Sequence, residues 1–326
     1  MKYIVTGAAG LIGSSMIWKL NKEGITDILA VDHLSDSEKW KNLRALSYAD
    51  YMEREDFLDL LLTDSLAEDV ECVIHMGACS STTEKDATYL VHNNFEYTKA
   101  LAKYCVEKKI KFLYASSAAT YGDGEKGYKD DESSIEELRP MNMYGYSKQM
   151  FDLWAKKHGL LDSITGVKFT NVYGPNEWHK GSMRSMVCRS FEQIRDTGCV
   201  KLFKSCHPDY KDGEQKRDFI YVKDAVDMVL FLLKNPQLTG LYNIGSGKAE
   251  TWNELVSAAF AAMGKEVNIE YVDMPEHLKA KYQYYTCADM TKMREAGYTK
   301  EPMSLQDAIR DDICCYLAGD RYLGDE

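Results

Sequence analysis

The chain has no run of apolar residues near the ~20 that a bilayer span requires, and its first residues pass into a strand pattern without a basic leader or cleavage signal. The expectation is a cytoplasmic protein with no membrane partner. Positive charge is in short supply too: Lys+Arg 40 against Asp+Glu 51 leaves a formal net charge of −11. That balance disfavours nucleic acid and anionic lipid, which both need a positive surface. There are nine cysteines but no Cys-x-x-Cys spacing, and Cys72 and Cys105 fall in apolar strand or helix patterns, so they read as reduced packing residues. The seven histidines are not clustered as metal ligands would be. Neither an internal repeat nor a low-complexity stretch is found. What remains is 45% hydrophobic and 28% charged, the composition of a globular protein large enough for two closely packed lobes.

The most informative stretch is Gly7-Ala-Ala-Gly10-Leu-Ile-Gly13, which follows the apolar run Tyr3-Ile-Val-Thr6 and opens a helical pattern. The first glycine allows a sharp turn, the second lets the backbone approach a pyrophosphate, and the third lets the helix pack closely on the strand. The free N–H groups and dipole of the new helix then face the phosphates. Asp32 ends the next apolar run, Asp27-Ile-Leu-Ala-Val-Asp32, about 20 residues on, where a ribose-binding carboxylate belongs. Lys39 and Arg54 follow, and either cation could reach a 2′-phosphate.

A fourth strand is expected at Glu71 to Ala78, with His75 as a core histidine rather than a ligand. The hydroxyl run Cys79-Ser-Ser-Thr-Thr-Glu84 lies either at the ligand-binding edge of the sheet or in a helix cap and polar turn. A long helix covers Ala87 to Lys109, interrupted by Asn93 and Asn94; a fifth strand runs from Lys111 to Ser116; and the acidic stretch from Gly122 to Arg139 reads as a surface loop. Pro140 begins a helix in which Tyr144 and Lys148, four apart, share a face. A sixth strand spans Ser163 to Phe169. Beyond it the composition changes: Lys201, Lys204, Lys211, Lys216 and Arg217 gather among turn residues as a candidate diphosphate site. Asp218 to Val222 and the helix Lys223 to Lys234 resume the strand-helix rhythm. The fold class is α/β: a Rossmann-type doubly wound parallel sheet (1–170, with 218–235 packing back on it) and a smaller mixed α/β substrate-binding lobe (171–326).

A tyrosine four residues before a lysine, beside a dinucleotide site, suits hydride chemistry at a carbinol or ketone. The phenol must give or take a proton as hydride moves, its usual pKa near ~10 is too high for a base at neutral pH, and an adjacent ammonium stabilises the phenolate. Lys148 is placed to supply that charge and to bond the nicotinamide ribose. Ser117, just past the fifth strand, is placed to bond the same substrate oxygen.

The glycine turn, the serine before Thr120-Tyr-Gly122 and Tyr144-x-x-x-Lys148 resemble the extended short-chain dehydrogenases/reductases of the nucleotide-sugar epimerase type. A narrower set resembles the ADP-L-glycero-D-manno-heptose 6-epimerases within that family: His75 to Glu84, Asn171-Val-Tyr-Gly-Pro175, His179-Lys-Gly-Ser-Met183, Lys216-Arg-Asp-Phe219 and Tyr282 to Asp289. The resemblance implies an isomerase that holds NADP, with NAD as the alternative, and inverts carbon 6 of the heptose through a transient ketone, in synthesis of the heptose precursor of the lipopolysaccharide core. It also implies a homo-oligomer, pentameric in the family. Inversion needs proton transfer on two sides, and the family's second base falls on Lys180. By resemblance the cofactor is lined by Gly7, Gly10, Leu11, Ile12, Gly13, Asp32, His33, Lys39 and Arg54, then by Met76, Gly77, Ala78, Cys79, Ser80, Asn93, Lys148, Val172 and Lys180. The substrate is held by Asn171, Ser182, Phe203, Lys204, Ser205, Arg217 and Tyr282, and by Arg189, which stands where the family usually has histidine. The 122–139 loop is longer than the family's, and 205–215 carries an insertion. The rival readings are another nucleotide-sugar enzyme, such as a UDP-hexose 4-epimerase or a dehydratase, and a non-catalytic dinucleotide sensor. Ala118 and Ala119, where dehydratases carry an acid pair, count against the dehydratase; Tyr144 with Lys148 counts against the sensor.

Overall fold

The computed structural model describes residues 2–66, 69–279 and 282–325. In chain order its strands are β1 (Tyr3–Thr6), β2 (Ile28–Asp32), β3 (Asp50–Glu53), β4 (Cys72–His75), β5 (Lys111–Ser117), β6 (Thr165–Phe169), β7 (Asn171–Tyr173), β8 (Val200–Phe203), β9 (Lys216–Tyr221), β10 (Gly240–Ile244), β11 (Ala249–Thr251) and β12 (Ile269–Val272). Seven of them make one sheet in the order β10-β6-β5-β4-β1-β2-β3, with every pairing parallel. Alternation along these short apolar strands feeds two cores. Val5, Ile74 and Leu113 point into one with Ile17, Leu20, Val226 and Val229; Ile4, Val73 and Phe112 point into the other with Leu101 and Phe151.

The chain leaves β1 for β2 and β3 on one side and returns to β4 on the other, so β1 and β4 flank the point where strand order reverses. Ligands of open α/β sheets bind in the crevice at that point, beyond the carboxyl ends of the strands. Thr6 of β1 stands opposite His75 of β4, which brings the glycine turn and the segment after β4 side by side.

Residues 218–235 pack back on the large sheet's core through Ile220, Val226 and Val229, but the strand around Asp218 is not part of that sheet: β9 pairs with β7 and with β11. The seventh place goes to β10, beside β6, while the helix Val222–Lys234 lies against the helix Leu11–Lys22. Contrary to the expectation from the sequence, Val200 to Phe203 is a strand rather than a turn, because Val200 and Leu202 alternate inward and β8 pairs with β12. The smaller lobe closes around Val187, Phe191, Val256, Phe260 and Ile309.

Local chemistry sets the element ends. The catalytic-candidate helix runs Met143–Lys157, starting later than Pro140, because the Asn142 side chain accepts the Gly145 N–H at 2.8 Å and caps it there. The helix from Ala87 to Lys108 widens into a π turn over Val91–Glu96, at the two asparagines. The 123–139 segment is more than a surface loop. Tyr128 and Asp130 are buried in it, Asp130 accepts the Asn243 N–H at 2.7 Å, and Asn243 Nδ2 donates to the Tyr128 carbonyl at 2.8 Å. Among the described residues no helix is long and apolar enough to cross a membrane.

Candidate active site

The turn after β1 is built for close approach. Gly7 has φ +66°, and a Cβ there would sit 2.6 Å from the Gly77 backbone, while a Cβ on Gly13 would overlap the Gly7 carbonyl. The helix Leu11–Lys22 begins with Gly10 in an extended conformation, no side-chain cap and no acid in its first turn. The leading N–H groups of a helix have no partner inside it, and Leu11, Ile12 and Gly13 line a cleft of about 400 Å³. Bare N–H donors, a positive helix end and glycines on both sides fit a dinucleotide pyrophosphate.

At the ribose end, Asp32 accepts the Ala9 N–H and the His33 N–H at 2.7 Å each and an ion pair from Lys39 at 2.7 Å. The carboxylate is thus fixed to the glycine turn and neutralised by the lysine. Arg54 lines the same cleft, its guanidinium bonded to Asn93 and Glu55. His75 lies behind the wall: its Nδ1 is 2.6 Å from Thr6 Oγ1 and its Nε2 is 2.9 Å from Thr98 Oγ1. Burial pushes it down to about 3. Thr98 Oγ1 already donates to the Asn94 carbonyl, so the neutral ring carries its proton on Nε2 and accepts from Thr6. It is a satisfied core histidine, as its strand position suggests.

Tyr144, Lys148 and Ser117 all line this cleft. Burial pushes the Tyr144 phenol up and the hydrogen bond with Ser117 pulls it down. Lys148 is buried, its Nζ donates to the Ala115 carbonyl at 2.8 Å, and burial holds its ammonium down to about 8. Asn94, presented by the π turn, clamps the loop after β4: it accepts the Cys79 N–H at 2.8 Å, donates to the Cys79 carbonyl at 3.0 Å, and donates to Ser147 Oγ on the helix Met143–Lys157 at 3.0 Å. The hydroxyl run is not the helix cap, since Asp86 accepts the Tyr89 N–H and takes that role; Ser80 lines this cleft.

A second cleft of about 390 Å³ opens beyond the first, between the large sheet and the smaller lobe. Ser80, Ser117, Tyr144, Val172 and Lys180 line both. Lys180 is carried by the turn Trp178–Met183. That turn is anchored by buried Glu177, which accepts the Ser185 N–H and hydroxyl at 2.5 Å each.

Every residue expected at the dinucleotide lines the first cleft. The substrate residues are scattered by comparison. Asn171 lines the second cleft, whereas Ser182, Arg189, Phe203, Lys204, Ser205, Arg217 and Tyr282 lie outside its wall. Ser182, Arg189 and Lys204 are exposed, and Lys204 is paired with Asp273 at 2.9 Å. The Ser205 N–H goes to Asp212 in the inserted segment. Arg217 is buried between the Trp252 and Tyr282 rings, 5.8 and 5.2 Å from their centres, and bonds the Gln283 carbonyl. Thr82, from the hydroxyl run, and Gln283 and Thr286, from the 282–289 motif, line the second cleft, and sequence reasoning misses Met141 and Trp252, which line it too. Met141 and Trp252 lie far apart in the chain, and no spacing marks them.

A parallel doubly wound sheet, a glycine turn at its switch point and a Ser-Tyr-Lys group lining the same cleft define a Rossmann-type dinucleotide-binding fold. Residues 3–245 match the model of the NAD dependent epimerase/dehydratase family, and the chain belongs to that family. More particularly, it is 55% identical over 316 residues, 97% of this chain and 98% of the relative, to the ADP-L-glycero-D-manno-heptose-6-epimerase of Nitratidesulfovibrio vulgaris strain DP4. It is 50% identical to the protein of that name from Fusobacterium nucleatum, covering 98% of this chain and 99% of the relative. The crystal structure of the Helicobacter pylori ADP-L-glycero-D-manno-heptose-6-epimerase superposes with a TM-score of 0.81 at 26% identity, over 96% of this chain and 95% of that one.

Proposed function

We propose that this chain is an isomerase that inverts carbon 6 of ADP-glycero-manno-heptose through a transient ketone, serving synthesis of the heptose precursor of the lipopolysaccharide core. The observation that carries the reading is the shared wall: Ser117 and Tyr144 reach it from the large sheet and its helix, and Lys180 reaches it from the turn after β7. In this reading residues 1–170 bind the dinucleotide and 171–326 hold the sugar nucleotide. Bound dinucleotide supplies a reversible acceptor for the carbon 6 hydrogen. Ser117 bonds the sugar oxygen, and Tyr144 takes its proton as the carbon becomes trigonal. Lys148 holds positive charge behind the phenol, which shares its cleft. When the ketone turns its other face, its oxygen lies on the side of Lys180, which returns a proton there. The full-length relatives at 50% and 55% identity carry this activity in their names, which favours it over a UDP-hexose 4-epimerase or a sensor.

For the cofactor, NADP is the reading and NAD the alternative. Lys39 neutralises Asp32, so the carboxylate that would repel a 2′-phosphate is already paired, and Arg54 adds a second cation to that end of the cleft. Cytoplasmic location rests on the sequence reading above, and a homo-oligomer, pentameric as in the family, rests on the resemblance.

The test is Lys180→Met with an analogue bearing an aldehyde at carbon 6, which can be oxidised and reduced without inversion. The variant should bind the analogue normally and lose one of the two stereochemical outcomes of the natural reaction. A collapse of sugar-nucleotide affinity, with both outcomes retained, would make Lys180 a phosphate anchor instead.

A further inference from the structure

A buried knot joins the glycine turn to the turn that carries Lys180. Asn176 is 1% exposed and holds φ +76°, a left-handed conformation uncommon for any residue but glycine. Its side chain is used at both ends. Nδ2 donates to Ser14 Oγ at 3.0 Å, and Ser14 Oγ donates to the Gly10 carbonyl at 2.7 Å, in the first turn of the pyrophosphate-facing helix. Oδ1 accepts the Leu323 N–H at 3.0 Å. The Asn176 carbonyl accepts from Asn42 Nδ2 at 2.9 Å, and the same Asn42 nitrogen reaches the Ala9 carbonyl at 2.8 Å and lies 3.2 Å from His179 Nδ1. Ala9 belongs to the glycine turn, and His179 and Lys180 line the dinucleotide cleft.

The segment Tyr322–Asp325 seals the knot from outside. Leu323 is fully buried, Gly324 has φ +95° with the Ala45 carbonyl 2.8 Å from where a Cβ would stand, and Arg44 pairs with Asp325 at 2.7 Å while lying 4.8 Å from the Tyr322 ring centre. None of these four residues lines the dinucleotide cleft.

We propose that Asn176 is a positioning residue: through Ser14, Asn42 and the Tyr322–Asp325 segment it couples occupancy of the dinucleotide cleft to the placement of Lys180. This rests on the reading of Lys180 as the second acid/base. The coupling follows from satisfaction of buried groups. If the glycine turn shifts, Asn176, Asn42 and the Leu323 N–H cannot all keep partners, and a buried polar group left unpaired is costly. A ligand that fixes the turn therefore also favours the closed 176–180 turn and the closed segment outside it, and the effect is reciprocal.

The test uses dinucleotide alone, without sugar. In the wild-type protein, saturating NADP, or NAD if that is what binds, should slow hydrogen exchange at Leu323 and across 177–180 by about tenfold. Asn176→Gly keeps the left-handed backbone and deletes the amide. It should abolish the ligand-dependent slowing at Leu323 and weaken dinucleotide binding by the same factor. A residue that merely stabilised the fold would change exchange equally with and without ligand. The proposal is overturned if Leu323 exchange in the wild type is indifferent to dinucleotide, or if folded Asn176→Gly keeps wild-type affinity. The wild-type measurement stands even if the variant fails to fold. A negative result in the Lys180→Met stereochemical assay would bear on the epimerase reading and leave this exchange result unchanged.

Discussion

The two clefts that meet at Tyr144 are made in different ways. The floor of the first cleft is drawn from the carboxyl ends of neighbouring strands β1, β2 and β4 and the turns that follow them, with Asn93, Ser117, Tyr144, Lys148 and Lys180 closing it from other elements. Its key contacts are backbone N–H groups, glycines and one fixed carboxylate. The second cleft is drawn from β7, the 178–187 region, β9, the helix starting at Trp252 and the 283–288 segment. Outside its wall the candidate substrate cations are held elsewhere, as Lys204 is by Asp273. In the first site the glycine turn is so tight that a Cβ at Gly7 or Gly13 meets backbone, whereas the second site depends on which distant segments converge.

The sharpest test of that contrast sits on the shared wall. Tyr144→Phe removes one hydroxyl from a helix face and should leave the fold and dinucleotide affinity intact. Single-turnover hydride transfer should fall on the order of 10²-fold or more, the usual cost of losing a general acid/base. A near-normal rate in the folded variant would remove Tyr144 from the chemistry.

Gly13→Ala probes the intolerance of the first cleft. The added methyl would overlap the Gly7 carbonyl, so helix and turn must separate. Overpacking of this kind costs about 1–3 kcal/mol of stability, read by denaturant unfolding, and displacement of the helix N–H groups should weaken dinucleotide binding in a fluorescence titration. Affinity within twofold of wild type would show that the turn has slack the structure does not suggest.

That contrast also explains how much is legible in the sequence. Gly7, Gly10 and Gly13 act through their own backbone, and Asp32 ends the next strand, so spacing along the chain is enough to place them together. His75 can be assigned to the core because its neighbours are strand residues. Arg217, by contrast, reads in sequence as a free cation for diphosphate, but Trp252 and Tyr282 enclose it, and no pattern in the sequence links three residues so far apart. β10 is hard to see in the sequence because Gly240–Ile244 is short and its place beside β6 is a tertiary fact. The stretch around Tyr128 looks exposed by composition, yet Asp130 and Asn243 bury it through a pairing between distant segments.

A pH profile tests whether charge at Lys148 matters to the shared wall. Burial lowers its ammonium from the usual lysine range to about 8, so the positive form is present below that pH and is lost as pH rises through it. If that charge supports the Tyr144 phenolate, kcat should fall on the alkaline side with an apparent pKa near 8, by up to tenfold per pH unit. A profile flat from about pH 7 to 10 would mean that Lys148 acts through its bond to the Ala115 carbonyl alone.

The smallest effect is expected in the part of the second region that the structure leaves open. Arg189 stands on the helix Met186–Thr197, where the resemblance places a substrate contact and where histidine is usual in the family. Its side chain is exposed, and it lines neither cleft. The buried face of the same helix is Val187, Cys188, Ser190, Phe191 and Ile194, so position 189 points away from the core that fixes the helix. Arg189→His should therefore change kcat, KM and stability by less than about twofold or 0.5 kcal/mol, the range of ordinary surface substitutions. If KM for the sugar nucleotide instead rises tenfold while dinucleotide affinity is unchanged, the smaller lobe must close to bring this helix onto the substrate. The second cleft would then be an open form, and the exposed cations around it would belong to the site after all.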